Sequence, residues 1–187
     1  MKRNRGFTLI EVIVVAAIIA ILAGILVPMI FRQIDEAKIS RAEADCKSIS
    51  TAVLLFRKDT GKWPYYLPGD CTLTYLAIVG SGTSPVNALS DWQLGLNDVS
   101  LHLILNLPSE NPPIAQTCYN DKAKSYLPQV TPDPWGNAYV INAANFAANA
   151  PVWVISAGPN GVLDTSVNSE TLNDAAANGD DLGIRIQ

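Results

Sequence analysis

The chain has 187 residues, of which 49% are hydrophobic, and it carries 13 basic and 17 acidic side chains. A net charge of −4 without a visible basic patch argues against nucleic acid as a ligand, because phosphate recognition needs clustered Lys and Arg. The only histidine, His102, has no second ligand or nucleophile at a useful spacing. We therefore predict that it packs in the fold and that the chain is not an enzyme.

A basic leader, Lys2-Arg3-Asn4-Arg5-Gly6, precedes an apolar segment over residues 7–31. As a helix this segment would be about 37 Å long and would cross a hydrocarbon core of roughly 30 Å. The positive leader predicts a cytoplasmic N-terminus and an outward-facing remainder. An ordinary secretory signal fits poorly, because the apolar segment does not end in a small-x-small cleavage site.

Glu11 is the only charged residue inside the apolar segment. On insertion scales such a charge costs about 2.5–3.5 kcal/mol at the centre of a membrane helix. The cost predicts a cationic partner, and the obvious candidate is a cation presented by another copy of the same segment.

The sequence Gly6-Phe7-Thr8-Leu9-Ile10-Glu11 resembles the processing motif of the type IV pilin superfamily. The resemblance implies that a prepilin peptidase cuts between Gly6 and Phe7 and methylates the new amine of Phe7. That ammonium would neutralise Glu11 of a neighbouring subunit as helices stack in a filament, because a paired buried charge costs less than an unpaired one. The alternative is a plain single-pass anchor that tolerates Glu11.

Residues 32–58 continue the helix as an amphipathic segment. Apolar side chains recur at spacings of three and four residues and their multiples, and they predict a buried face of Ile34, Ala42, Cys46, Ile49, Val53 and Phe56. Pro28 predicts a kink or a melted turn, and in filaments of the superfamily a proline at the matching place marks local melting. Asp59-Thr60-Gly61 predicts the helix end, with Gly61 as a left-handed cap.

An irregular, proline-containing tract follows, from Lys62 to about Gln129. Its short apolar runs at 72–79 and 99–107 are predicted as helices that cover the sheet or the long helix.

Three cysteines, Cys46, Cys71 and Cys118, lie in the part predicted to leave the cytoplasm, where disulfides form. Cys46 falls on the apolar face of the helix and is predicted as a buried thiol, so we predict a Cys71–Cys118 disulfide. On the chain-entropy model this bridge would stabilise the fold by about 4 kcal/mol. Two alternatives stay open: that all three cysteines remain reduced, or that Cys46 pairs with one of the others.

A second informative region begins with the turn sequence Asp133-Pro134-Trp135-Gly136, flanked by predicted strands at 138–142 and 152–156. Glycine-rich and acidic segments follow at 155–161 and 179–183. This ordered set resembles the major pseudopilin of type II secretion systems.

In that family the C-terminal loop binds calcium. By the resemblance, the matching ligands are the carbonyls of Ala157 and Val162, the side chain of Asn160, and the carboxylates of Asp180 and Asp181. These oxygen donors are of the kind that calcium prefers. The stretch from Val162 to Asp180 is longer here than in the family, which admits Asp164 or Asp174 as substitutes. A solvated acidic loop without metal is the alternative.

These features together predict an α+β, pilin-like fold in which a long N-terminal helix packs on a small antiparallel sheet. The predicted organisation is a leader at 1–6, a transmembrane helix at 7–31, its amphipathic continuation at 32–58, and a globular domain with a C-terminal acidic loop at 59–187.

The resemblance implies a structural subunit of a homo-oligomeric helical filament, most like a type II secretion pseudopilus that drives protein export. The implied partners are minor pilins or pseudopilins, the prepilin peptidase, a membrane platform and an assembly ATPase. The implied location is the inner membrane, spanned once with the C-terminal domain in the periplasm, and the filament would be periplasmic or extracellular. The alternative is a type IV pilin or minor pilin for adhesion, motility or DNA uptake.

Overall fold

The computed structural model describes residues 7–64, 66–67, 70–74, 77–87, 90–92, 94, 125–148, 150–172 and 179–187. It forms two compact units, the first ending at Lys38 and the second running from Ile39 to Gln187. A single helix, α1 (Leu9–Thr60), contributes residues to both units. The predicted α+β architecture, a long N-terminal helix with a small antiparallel sheet, is confirmed.

Helix α1 ends as the sequence predicts. Gly61 adopts a positive φ of 73°, and its N–H donates to the carbonyl of Arg57 at 2.8 Å. This geometry satisfies one of the carbonyls that the last turn of a helix leaves without a partner. The predicted left-handed cap is therefore present.

The melted turn predicted at Pro28 is absent from this single chain, because α1 runs without interruption through the proline. Proline removes one main-chain hydrogen bond, to the residue four positions earlier, and here that residue is Gly24. One missing bond does not end a helix whose neighbouring turns keep theirs, since helix formation is cooperative. Melting within an assembled filament stays a prediction.

The central sheet of the second unit has four antiparallel strands in the order β3-β5-β6-β8. They are β3 (Ile78–Val79), β5 (Val140–Ile141), β6 (Trp153–Ser156) and β8 (Leu182–Arg185). β5 and β6 lie within the two predicted strand segments, and their β-branched and aromatic residues suit a buried pleated surface. Helix α2 (Asn145–Ala148) lies between them along the chain.

Two further strand pairs accompany this sheet. β1 (Tyr66–Leu67) pairs with β2 (Asp70–Thr74) in antiparallel fashion, and β4 (Val86–Asn87) pairs with β7 (Val162–Leu163) in parallel. The helix predicted over 72–79 is therefore wrong, because this stretch contributes to β2 and β3 instead. Its threonines and β-branched residues favour extended backbone. The run predicted over 99–107 and His102 lie outside the described residues.

The core of the second unit lies between α1 and the sheet. Ala42, Cys46, Ile49, Val53 and Phe56 of the predicted apolar face are all buried. Ile34 is 44% exposed, which corrects its assignment to that face. It precedes Ile39, where the unit that contains the sheet begins. Side chains from the sheet and nearby segments complete the cluster, among them Trp63, Ile78, Leu127, Tyr139, Ile141, Phe146, Val152 and Val154.

Two polar contacts fix α1 on this core. The hydroxyl of Tyr139 donates to the Asp45 carboxylate at 3.0 Å, and burial together with Asp45 raises the pKa of Tyr139, which stays a neutral donor. The hydroxyl of Tyr126 donates to Asp59 at 3.3 Å. Both hydroxyls therefore reach over the core to acids on the polar side of the helix.

Cys46 is a buried free thiol, as predicted. Its pKa is raised to about 12, chiefly by burial and then by the neighbouring charge of Asp45, so the unreactive thiol form is favoured. Cys118 and the side chain of Cys71 lie outside the described part of the chain. Their pairing stays a prediction.

We expect Phe56→Ala to lower the free energy of unfolding by about 3–5 kcal/mol, because the side chain is fully buried and its loss leaves a cavity. Leu54→Ala, in the same helix but 46% exposed, should cost less than about 1 kcal/mol. Urea denaturation of both variants in mild detergent, followed by tryptophan fluorescence, measures the difference. Equal losses would contradict the assigned core.

Candidate functional site

The first candidate site is the start of α1, where Thr8 and Glu11 cap the helix reciprocally. The Glu11 carboxylate accepts hydrogen bonds from the Thr8 main-chain N–H at 2.9 Å and from its hydroxyl at 2.7 Å. The Thr8 Oγ1 lies 3.4 Å from the Glu11 main-chain N–H that donates to it. This is a capping box, whose Thr-x-x-Glu signature is visible in the sequence but was not predicted there.

The segment that follows the cap exposes a continuous apolar surface. Large apolar side chains from Phe7 to Phe31 are 47–83% exposed, and the helix is long and apolar enough to cross a membrane by length and composition. Phe7 itself is 83% exposed next to the cap. Gly6 lies outside the described residues. A bilayer or the helices of other copies are the environments that would cover such a surface.

The second candidate site is an acidic cluster at one end of the sheet. β6 ends at Ser156 and leads through Ala157 into a turn, in which Gly158 and Gly161 have φ values of 63° and 69°. β7 then begins at Val162, and the acids Asp180 and Asp181 immediately precede β8. Because β6 and β8 pair with Ser156 opposite Leu182, the end of one strand lies beside the start of the other.

Asp180 contacts the turn directly. Its Oδ2 accepts a hydrogen bond from the Asn160 main-chain N–H at 3.1 Å, while the Asn160 Oδ1 accepts from the Val162 N–H at 2.6 Å. The main chain of Asp180 lies so close to Gly158 that a Cβ there would fall on the Asp180 carbonyl oxygen. The structure thus brings together Ala157, Asn160, Val162 and Asp180, which are four of the five predicted ligand residues.

Asp181, the fifth, binds the chain directly after β7. Its Oδ2 accepts from the main-chain N–H groups of Asp164 at 2.9 Å and Thr165 at 2.7 Å. Burial is the largest effect on its carboxyl and raises its pKa, although these hydrogen bonds act in the opposite direction. Asp164 also belongs to the cluster, because its Oδ2 accepts from the Asn160 Nδ2 at 3.1 Å. The other admitted substitute, Asp174, lies outside the described residues.

The donors present in this cluster fit a hard cation. They are carboxylate, amide and carbonyl oxygens, and Asp180 Oδ1 is buried without a hydrogen-bond partner. No described basic side chain forms an ion pair with Asp180 or Asp164. No three His, Cys, Asp or Glu side chains in the described ranges lie close enough to hold a metal by themselves. A cation here would therefore depend on the Asn160 amide and on main-chain carbonyls as well.

Several polar residues that bind the chain just after the cluster were not predicted from the sequence. Asp91 Oδ2 accepts from the Ser166 hydroxyl at 2.7 Å and from the Val167 N–H at 2.9 Å. The side-chain amides of Asn142 and Asn145 both donate to the Val167 carbonyl, at 2.7 and 3.0 Å. These bonds hold the longer stretch after Val162 against the sheet. The partners in these bonds are 22 to 76 residues apart in the sequence, so no local pattern could predict them.

Comparison with known proteins gives a family match at the N-terminal site and similar proteins over most of the chain. Residues 1–27 match the family model described as the prokaryotic N-terminal methylation motif. The type II secretion system core protein G of Pseudomonas aeruginosa is 28% identical over 138 residues, which cover 74% of this chain and 72% of that protein. The protein of the same name from Escherichia coli is 26% identical, with 87% of each chain covered.

The predicted resemblance is confirmed. A third core protein G, from Aeromonas hydrophila, is 24% identical over 97% of this chain and 92% of its own length. The similarity to core protein G therefore extends well beyond the N-terminal motif and includes the C-terminal domain. No solved structure matches the chain.

Gly158→Ala tests the close approach of the turn to Asp180. An alanine there should lower the free energy of unfolding by about 1–2 kcal/mol because of its positive φ. Its Cβ must also displace the Asp180 main chain, which should cost about 1–3 kcal/mol more. Gly61→Ala is the matched control, because Gly61 has φ +73° but open space around its Cβ position. Urea unfolding should show the larger loss for Gly158→Ala, and equal losses would argue against the described packing.

Proposed function

We propose that this protein is a structural subunit of a type II secretion pseudopilus, a helical filament built from copies of this chain. The match of residues 1–27 to the methylation motif carries the proposal, together with the similarity to core protein G over most of the chain. None of the relatives reported above bears the name of an enzyme, which agrees with the prediction of a non-enzymatic role. The names also favour secretion over the alternative of a type IV pilin or minor pilin.

In this proposal the first unit forms the filament core. A prepilin peptidase removes the leader after Gly6, and the methylated ammonium of Phe7 pairs with Glu11 of a neighbouring copy. The exposed apolar surface of residues 7–31 supports burial first in the inner membrane and then against other helices. Pro28 is the point at which the helix would melt locally on assembly.

The second unit would lie outside this core. The leader would stay in the cytoplasm and the domain would face the periplasm, in agreement with the basic residues before the span. Minor pseudopilins, a membrane platform and a cytoplasmic ATPase are the proposed partners in assembly. The filament would be periplasmic or extracellular, and no nucleic acid is expected as a ligand.

We also propose calcium as the ligand of the acidic cluster. Ala157 and Val162 would supply main-chain carbonyls, Asn160 an amide oxygen, and Asp180 and Asp181 carboxylates, with Asp164 as a substitute within reach of Asn160. The buried, unpartnered Oδ1 of Asp180 supports this proposal. Bound calcium would offset the mutual repulsion of the acids and hold the turn after β6 against the start of β8.

Glu11→Gln separates the charge of Glu11 from its capping role. Glutamine retains an oxygen that can accept the Thr8 hydrogen bonds but carries no charge to pair with the Phe7 ammonium. We expect normal membrane insertion, with fibre yield below about a tenth of wild type, because removing one partner of a buried pair costs about 3–5 kcal/mol. Yield is measured by sedimentation of sheared fibres from cells that contain the whole secretion machine.

Glu36→Gln is the control for this experiment, since Glu36 is an exposed acid in the same helix beyond the predicted span. It should assemble as wild type does. Normal fibre yield from Glu11→Gln would show that the cap, and not the charge, explains the presence of Glu11.

Calcium should raise the melting temperature of the full-length protein in detergent, and a chelator should reverse the rise. At a hundredfold excess over Kd the expected stabilisation is about 2.7 kcal/mol. Asp180→Asn should abolish the response, whereas Glu170→Gln, which removes a charge from a side chain that is 75% exposed, should retain it. A wild-type melting curve that is identical with and without calcium would dispose of the site.

A further inference from the structure

A chain of hydrogen bonds, here called the relay, runs from Asp133 through Ser156 to Gly158. It joins the turn 133–137 to the turn 158–161 that follows β6. This carboxylate is only 4% exposed, and it accepts three hydrogen bonds. Its Oδ1 accepts from the main-chain N–H groups of Trp135 at 3.0 Å and Asn137 at 2.7 Å, which closes its own turn. Its Oδ2 accepts from the hydroxyl of Ser156 at 2.7 Å, 23 residues further along the chain.

The Ser156 hydroxyl has a second role. It donates to Asp133 and also accepts from the Gly158 main-chain N–H at 3.2 Å. These two bonds fix the backbone on both sides of Ala157, which is fully buried between them. The Ala157 carbonyl is one of the proposed calcium ligands, so the relay holds a ligand-bearing peptide in place.

Asn137 adds a second connection between the two turns. Its Nδ2 donates to the Gly158 carbonyl at 3.3 Å, and its side chain lies against Gly161, where an added Cβ would be 3.2 Å from the Asn137 Oδ1. Asn137, a residue of the Asp133 turn, therefore contacts the turn from Gly158 to Gly161 at both of its ends.

We infer that Asp133, Ser156 and Asn137 are positioning residues for the calcium site, which preorganise the main chain of Ala157–Gly161 for the cation. This inference rests on the calcium site proposed above. A ligand loop that is already ordered loses less conformational entropy on binding, so the affinity is higher. Groups that orient metal ligands through hydrogen bonds are typically worth 10- to 100-fold in affinity.

The test is calorimetric titration of the full-length protein in detergent with calcium chloride. Ser156→Ala removes both bonds of the relay, and we expect its Kd for calcium to rise at least about tenfold. Thr60→Val is the matched control, because the Thr60 residue is also buried and its hydroxyl also makes two bonds. It donates to the Phe56 carbonyl and accepts from the N–H two residues later, that of Lys62. The control should lose stability but keep the wild-type Kd within about twofold.

Asn137→Ala is a milder second variant, because Asn137 is half-buried and only its side-chain bond to the Gly158 carbonyl is lost. The main-chain bond from Asn137 N–H to Asp133, which closes the Asp133 turn, remains. Its Kd should rise about fivefold. Both Ser156→Ala and Asn137→Ala binding calcium with the wild-type Kd would overturn the positioning role while leaving the calcium site intact. A wild-type protein that takes up no calcium would refute the site itself, and the inference with it.

Discussion

The carboxyl group of Glu11 inside an otherwise apolar helix is the constraint on which the assembly account depends. In the single chain, Thr8 supplies two hydrogen bonds to one of its oxygens, and this cap lowers the cost of the charge without neutralising it. A cation from another copy would remove the remaining cost. In the proposed account, assembly would follow from the same feature that makes the isolated helix costly to keep in a membrane.

The domain that would coat the filament is held together in two different ways. One half of the second unit is an ordinary core, in which the apolar face of α1 covers β5, β6 and their neighbours. The other part is the tract after Ser156. Here Asn142 donates to the Val167 carbonyl, Asp181 accepts from the Thr165 N–H, and Asp133 accepts from the Ser156 hydroxyl. This tract also contributes the buried Ala157 and Leu163 to a second apolar cluster, so hydrogen bonds and apolar packing together determine its shape.

The sequence predicted what local chemistry determines. The helix, its end at Gly61, the turn at Asp133, and the strands β5 and β6 each follow from patterns within a few residues. The helix prediction over 72–79 failed because a short apolar run has the same pattern in a buried helix and in a strand. Here the pairing of β3 with β5 determines that the end of this run is a strand. At Pro28 the helix continues in the isolated chain, while the predicted kink and the melting in a filament stay predictions.

The candidate site was only partly accessible to such reasoning. The family resemblance indicated Asn160, Asp180 and Asp181. In the structure Asp180 binds the turn at Asn160, and Asp181 binds the chain at Asp164 and Thr165. The supporting bond between Asp133 and Ser156 joins residues 23 positions apart, and no local pattern marks it. Sequence reasoning placed Asp133 in a turn, but it could not show that the Asp133 carboxylate closes that turn or that its second oxygen reaches Ser156.

The pairing of Phe7 with Glu11 can be measured directly in fibres assembled from a mixture of two labelled proteins, one with ¹⁵N-phenylalanine and the other with ¹³C-glutamate. Solid-state NMR then reports only contacts between different copies. The account predicts dipolar coupling between the methylated Phe7 nitrogen and the Glu11 carboxyl carbon, at a separation of about 4 Å. Intact fibres in which this coupling is absent would contradict it.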